Sequence, residues 1–278
     1  MMNEGYNNEI TALEPVRPTR PVAPWQGGKR ALAGQIAARI ATIPHARYVE
    51  PCVGQGGVFF RRAARPKLEV INDINRELIN LFRHLQRHYQ QLLDVLKWQL
   101  CSRADFQRLL KQDVSTLTEL ERAARFLYLQ RAGYGGKVVG QTFGVSYEGP
   151  ARFDLTKLLG VLEEVHERLA SVVIECLPYE QCIARYDARP RTLFYIDPPY
   201  WGCTDDYGRG IFAPEDFEKL AELLADIQGD FILSLNDTPE VRQIFGGFVL
   251  EEVRLNYRMG GKATPARELI ISNRRGCG

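Results

Sequence analysis

The stretch Phe194-Tyr195-Ile196-Asp197-Pro198-Pro199-Tyr200-Trp201 ends an apolar run on a carboxylate followed by two consecutive prolines. Each proline holds its φ at about −65° and has no N–H, so a strand through residues 193–196 must stop at Asp197. The stop leaves a carboxylate, an unpaired backbone carbonyl and an aromatic ring side by side. In an open α/β sheet the carboxyl ends of strands are where ligands sit. Asp197, Pro198, Pro199 and Tyr200 are therefore the first candidates for chemistry.

A second pattern lies upstream. Residues 46–51, ARYVEP, read as a strand ending at Glu50, and CVGQGG (52–57) reads as a tight loop. VFFRRAAR (58–65) has the look of a helix directing its first amides at that loop, and LEVIND (68–73) is a second strand ending at Asp73. Strand, glycine loop, helix, strand and acid in this order make the first half of a doubly wound nucleotide-binding sheet. Asp73, at the end of the second strand, can accept from both hydroxyls of a ribose. The glycines disfavour two other nucleotide sites. Gly54, Gly56 and Gly57 do not complete the dinucleotide fingerprint, because Phe59 stands where its third glycine belongs. GGKR (27–30) lacks the flanking residues of a phosphate-binding P-loop.

These residues need a scaffold to hold them. Residues 1–22, rich in Asn, Pro and Arg without apolar periodicity, read as a flexible arm. After Trp25 and a QGGK turn, Leu32, Ile36, Ile40 and Ile43 recur at helical spacing. Residues 76–170 show nearly pure helical periodicity, broken by one glycine-rich piece, RAGYGGKVVGQTFGVSYEG (131–149), and read as an inserted, mainly helical domain. Strand patterns then resume around 170–178, 192–201 and 230–237, with a helix over 214–228, and 248–273 alternates like a terminal hairpin. The expected fold is α/β: a Rossmann-like sheet formed by residues 23–75 and 171–278, interrupted by the insert.

Composition narrows the class without naming a partner. The 278 residues are 45% hydrophobic and 25% charged, ordinary for a globular chain, and the net charge of +2 makes any basic surface local. The six cysteines include no C-x-x-C pair, so neither a zinc site nor a disulfide framework is expected. His84 and His88 lie four apart on a helical pattern, but the H-E-x-x-H signature is absent, and no metal is expected. No run of 18 apolar residues and no signal segment is present, which predicts no membrane partner and a cytoplasmic protein.

In order along the chain, PWQGGK, VEPCVGQGGVFF, INDIN, FLYLQRAGYGG, DPPY and LSLND resemble the Dam-type DNA adenine methyltransferases, over residues from about Pro24 to Asn273. The ordered set is far more specific than any one motif. The resemblance implies S-adenosylmethionine as cofactor, double-stranded DNA as partner, and a target-recognition insert between the cofactor motif and the catalytic motif. It also implies an enzyme; the sequence does not fix the oligomeric state, with a monomer favoured.

That chemistry accounts for the tetrapeptide. The exocyclic amine of adenine is a poor nucleophile because its lone pair is delocalised into the ring, and two acceptors aimed at its N–H bonds draw that density back. Asp197 can supply a carboxylate oxygen and Pro198 a carbonyl, while Tyr200 stacks on the base and Pro199 keeps the turn rigid. The amine is inaccessible in a duplex, so the base must be flipped out. By resemblance, Trp25 and Lys29 contact the methionine end of the cofactor and Gly54 and Gly56 let the backbone approach it. Asp73 binds its ribose, and Glu50 and Asp197 belong to the same cofactor-binding set. Tyr134 matches the aromatic that wedges into the duplex beside the flipped base, with Arg131 and Lys137 as further DNA contacts.

Three departures bear on specificity. Cys52 stands where the family has Phe, and Gly135 where Dam has Asn. The segment between GYGG and FGV is only KVVGQT, without the Arg that most often reads a guanine edge. These features argue against strict GATC recognition and for binding positioned by backbone charge, as in some phage-borne relatives. Methylation of RNA adenine or of the cytosine N4 amine, and a catalytically silent DNA-binding protein, are the alternatives.

Overall fold

In the strand Thr192–Ile196 (β6), every side chain is buried, but successive residues serve opposite faces. Leu193 and Tyr195 join one apolar cluster, whereas Phe194 and Ile196 join another, the pattern of a parallel strand covered on both sides. In this computed structural model, residues 13–29, 31–145, 149–188, 191–203, 212–259 and 262–273 are described, with backbone alone at 256–259 and 262–265.

Around β6 lie Arg47–Glu50 (β2), Leu68–Asn72 (β4), Val173–Glu175 (β5), Asp230–Asn236 (β7), Val249–Met259 (β8) and Lys262–Ser272 (β9). They form one seven-stranded sheet of order β5-β4-β2-β6-β7-β9-β8. All pairings from β5 to β7 are parallel, and β9 enters antiparallel between β7 and β8. The chain runs outward from β2 through β4 to β5, then restarts at β6 and runs the other way. The reversal point between β2 and β6 is where an open α/β sheet opens a ligand crevice. Glu50 ends β2, Asp197 follows β6 and Asp73 follows β4, so sheet topology alone puts three carboxylates along one edge.

On one face, Ala33–Thr42 (α1), Arg76–Arg87 (α2), Glu119–Ala132 (α5) and Leu155–Leu169 (α6) share an apolar cluster with Tyr48, Ile71 and Leu193 of the sheet. Tyr89–Leu96 (α3) and Arg103–Lys111 (α4) pack outside them. The long helical pattern after Asp73 breaks at His88, which ends α2 and precedes α3. On the other face, Tyr179–Tyr186 (α7), Pro214–Ala225 (α8) and Pro239–Ile244 (α9) cover Val49, Phe194 and Leu233. The helix starts follow their sequences: Asn75 caps α2, and Thr118 with Glu121 forms a capping box on α5.

Two expectations are corrected. The helix expected over residues 58–65 is a single 3-10 turn, Phe59–Arg61, followed by the short strand Ala64–Arg65 (β3). Phe59, Phe60 and Arg62 all point into the interior, which a surface helix could not satisfy, and β4 begins three residues after β3 ends. The flexible arm expected through residue 22 is also corrected, for residues 1–12 lie outside the described part but the rest is packed. Glu14–Pro15 (β1) pairs antiparallel with β3, Thr19 Oγ1 donates to Glu164 at 2.7 Å, and Val22 is fully buried. Arg17 and Arg65 form ion pairs with Glu164 and Glu14.

Candidate active site

The crevice at the strand ends is a cavity of about 760 Å³, lined by Glu50, Asp73 and Asp197 together with Trp25, Lys29 and the glycine loop. Beside the cavity, Asn72 at the end of β4 joins the neighbouring strand ends. The Asn72 amide donates to the Pro51 carbonyl at 2.8 Å and the Leu177 carbonyl at 2.9 Å, and its oxygen accepts from the Leu177 N–H at 2.8 Å. One buried side chain thus ties the ends of three neighbouring strands.

Asp73 works on the loop as well as on the cavity. Its Oδ2 accepts from the Gly54 N–H at 2.9 Å and its Oδ1 from the Asn75 N–H at 2.9 Å, which fixes both oxygens at the rim. Burial pushes its pKa up, with the backbone N–H donors pulling the other way. Gly54 has φ +51°, and a Cβ there would stand 2.8 Å from the indole Nε1 of Trp25. Gly56 has φ +73°, and a Cβ there would meet the Phe60 ring at 2.6 Å. The close approaches that require these glycines come from Trp25 and Phe60. Gly54 lines the cavity, while Gly56 sits behind it.

Glu50 is buried, accepts from the Tyr48 hydroxyl at 2.6 Å, and has its pKa pushed up to about 8, chiefly by burial. A neutral Glu50 at physiological pH is a group that an incoming cation would ionise.

Lys29 is buried, and its ammonium is directed at protein atoms: Asp197 Oδ1 at 2.5 Å, the Tyr200 hydroxyl at 2.6 Å and, more distantly, the Gly27 carbonyl at 3.5 Å. Lys29 also lines the cavity, so these contacts tie the DPPY turn to the cavity wall. Asp197 Oδ1 also accepts from the Ser234 hydroxyl at 3.2 Å, and no described residue donates to Oδ2. Burial raises the Asp197 pKa, with Lys29 the largest opposing influence. Pro199 lines the cavity, Pro198 is buried, and Tyr200 lies outside the lining with its hydroxyl on Lys29. Asn236 at the end of β7 holds the next residue by both backbone groups, accepting from the Trp201 N–H and donating to its carbonyl, each at 3.0 Å.

The DNA candidates lie on and beside the loop that follows α5. Tyr134 is 53% exposed on a loop closed by the bridge between Gly133 and Phe143. Arg152 lies with its guanidinium 5.2 Å from the Tyr134 ring and donates to the Gly133 carbonyl at 3.3 Å. Lys137 is exposed, whereas Arg131 lines the cavity mouth with Arg20 and Arg61. The loop is fastened to the cavity side. Gly136 passes so close to Trp25 that a Cβ would lie 2.8 Å from the Trp25 nitrogen, and the buried Gln130 donates to both Pro24 and Gly136 carbonyls at 3.2 Å.

Residues 25–259 match the family described as D12 class N6 adenine-specific DNA methyltransferase. The chain belongs to that family. Among its relatives, the Type II methyltransferase M1.LlaDCHI of Lactococcus lactis subsp. cremoris is 27% identical, over 91% of this chain and 95% of that protein. The Type II methyltransferase M.CviBI of Paramecium bursaria Chlorella virus NC1A is 22% identical, over 86% and 91%. The retron Ec67 DNA adenine methylase of Escherichia coli is 24% identical, over 88% of each chain. As a D12 methyltransferase, the protein is an enzyme that transfers methyl from S-adenosylmethionine to the N6 amine of adenine in DNA. RNA adenine, cytosine amine and the silent binding protein are thereby set aside. The cavity fits that cofactor: an acid at the end of β4 suits a ribose, and a buried carboxyl at the end of β2 suits a cationic group. No helix among the described residues is long and apolar enough to cross a membrane.

Sequence reasoning missed Ile74, Pro178, Tyr179, Glu180 and Phe212, which also line the cavity. Pro178 and Tyr179 follow β5, so the strand-end rule that found Glu50, Asp73 and Asp197 would have found them too. Ser234 had no such signal, being one hydroxyl in an apolar strand.

Proposed function

We propose that this D12 methyltransferase acts as a monomer in the cytoplasm on an adenine flipped out of double-stranded DNA, with loose sequence preference. Residues 23–75 and 171–278 are the catalytic part, and the DNA contacts come from 76–170. The observation that carries the reading is Asp197 at the crest of the switch point, one oxygen held by protein donors and the other open. Oδ2 of Asp197 and the Pro198 carbonyl accept the two amine hydrogens, and the amine nitrogen becomes nucleophilic as its lone pair leaves the ring. Pro199 stiffens the turn, and the Tyr200 ring, its hydroxyl anchored by Lys29, stacks on the base. When bound, S-adenosylmethionine supplies an electrophilic methyl on a cationic sulfur. Asp73 holds the ribose, Glu50 faces the positive charge, and Trp25 with Gly54 walls the methionine end. Tyr134 fills the gap left by the flipped base, with Arg131 and Lys137 on phosphates. Similarity to proteins named Type II methyltransferases supports a place in restriction–modification.

Transfer of labelled methyl to unmethylated DNA, single-stranded RNA and synthetic duplexes lacking GATC tests this reading. Methylation of the duplexes alone is expected, and labelling of RNA alone would overturn it.

Asp73→Ala is expected to weaken binding of S-adenosylhomocysteine by about 1.5–3 kcal/mol, through loss of charged hydrogen bonds to the ribose. The Gly54 amide loses its acceptor at the same time. Calorimetry reads the change directly, and an unaltered affinity would place the ribose elsewhere.

Loose preference has its own signature. Phosphate contacts make binding fall steeply with salt, whereas a base reader loses roughly 1–3 kcal/mol for each altered pair of its site. Exhaustive methylation of a plasmid, read by single-molecule sequencing, should show modified adenines in many contexts. Modification confined to GATC at every enzyme concentration would refute loose preference and turn attention to Arg131 and Arg152.

A further inference from the structure

We infer that Ser234 is a positioning residue of the methyl transfer: with Lys29 it engages one oxygen of Asp197 and leaves the other as the only carboxylate acceptor offered to the amine. The inference rests on the reading of Asp197 given above.

Ser234 lies in the middle of β7, fully buried, between Leu233 and Leu235. A hydroxyl in such a place must find partners, and it has two. It lies 3.2 Å from Asp197 Oδ1 and 2.9 Å from the Tyr195 hydroxyl. Asp197 as a carboxylate can only accept, so the single Ser234 proton goes to it, and the Tyr195 phenol donates to the Ser234 oxygen. Tyr195 is itself buried on β6. The result is a chain of donors, Tyr195 to Ser234 to Asp197 Oδ1, meeting the Lys29 ammonium on the same oxygen at 2.5 Å.

The mechanical consequence follows from the side chain's freedom. A carboxylate at a strand end turns readily about its terminal bond. Two donors arriving at Oδ1 from different elements, Lys29 from the turn before α1 and Ser234 from β7, fix the plane of the group. Oδ2 is then aimed by groups already in place before any substrate arrives. A productive acceptor geometry held in advance of the substrate is what preorganised catalysis requires.

The charge environment gives the second consequence. Asp197 faces Lys29, Ser234, Tyr195, Glu268 of β9 and, at longer range, Glu50 of β2. Burial and Glu268 favour the protonated acid, whereas Lys29 and Ser234 favour the anion. The anion is the stronger acceptor for the amine hydrogen, because its bond is charge-assisted. Without the Ser234 hydroxyl, Asp197 should take up its proton at a higher pH.

The test uses the whole protein with aspartate alone carbon-13 labelled at its carboxyl, which keeps Glu50 and Glu268 silent. The Asp197 resonance is assigned by its loss in Asp197→Asn and titrated without ligand in the wild type and in Ser234→Ala. The expected result is a higher titration midpoint in Ser234→Ala. At saturating S-adenosylmethionine, the ascending limb of the single-turnover rate should move the same way, with about a tenfold lower rate at neutral pH. Affinity for S-adenosylhomocysteine should stay within about twofold, since no cofactor contact is touched. Ser234→Cys, similar in shape but a weak donor, should fall between. If Ser234→Ala does not fold, Tyr195→Phe, which keeps the ring and removes the outer donor, should move the midpoint in the same direction by less. An unchanged midpoint would overturn the inference in favour of simple packing. Full activity in Asp197→Ala would instead overturn the reading of Asp197 on which it rests.

Discussion

Asp197→Ala is expected to slow methyl transfer by at least about a thousandfold, the scale on which a preorganised group acting at the reacting centre contributes. Affinity for S-adenosylhomocysteine should change by less than about tenfold, because the carboxylate acts chiefly on the amine as it becomes tetrahedral. Alanine removes the open Oδ2, and it also strips the Lys29 ammonium of its anionic partner. Asp197→Asn separates the two effects. The amide keeps the shape of the group and an oxygen for Lys29 or for the amine, but not the charge that draws density onto nitrogen. Both variants should be slow if charge matters, and only alanine if an oxygen suffices. Single-turnover rates with calorimetric affinities decide, and a rate near that of the wild type in both would remove Asp197 from the chemistry.

That so much of this site was readable from residues has a physical basis. A pair of prolines cannot be accommodated inside a central strand, so Asp197 had to lie at a strand end. The acids Glu50 and Asp73 terminate apolar runs of the right length, and parallel pairing of β2, β4 and β6 then brings all three together. Local sequence also marked Gly54 as special, but not why. The indole that demands a glycine there comes from Trp25, far earlier in the chain. The failures share that cause. The segment 13–22 carries no periodicity, and what orders it is pairing with Ala64–Arg65 and hydrogen bonding to Glu164, partners invisible until the chain has folded. Residues 58–65 have helical composition, yet both phenylalanines and Arg62 are drawn inward by the core beneath the glycine loop. Lys29 is marked by family resemblance alone, and its ties to Asp197 and Tyr200 across the sheet carry no signal in the local sequence.

The core beneath that loop carries the other large expected effect: Glu69→Ala should destabilise the protein by about 3–5 kcal/mol, the range found when one member of a buried ion pair is removed. Glu69 lies on β4, buried between two guanidinium groups. Arg62 reaches its Oε1 at 2.6 Å, and Arg168 of α6 grips Oε2 at 2.6 Å and Oε1 at 2.7 Å. The alanine variant strands both arginines, each less than a tenth exposed, without an anion. The triad is a weak argument for net stability, since burying three charges is costly and the Nε atoms of Arg62 and Arg168 have no hydrogen-bond partner among the described residues. Simultaneous replacement by Met, Leu and Met should therefore cost much less than Glu69→Ala alone. What the ions specify is geometry. Arg62 lies 3.6 Å from the centre of the Tyr48 ring, and the Tyr48 hydroxyl holds Glu50 at the cavity wall. Arg62 also favours the ionised form of Glu50, so its displacement should leave that carboxyl harder to ionise. Urea unfolding measures the first effect, and S-adenosylhomocysteine affinity of the folded Glu69→Ala and triple variants measures the second. Both should bind more weakly than the wild type, even where the triple variant regains stability. A Glu69→Ala protein as stable as the wild type would show that the two arginines find other anions or water. A stable triple variant with unaltered affinity would show that Tyr48 and Glu50 hold their places without the charges behind them.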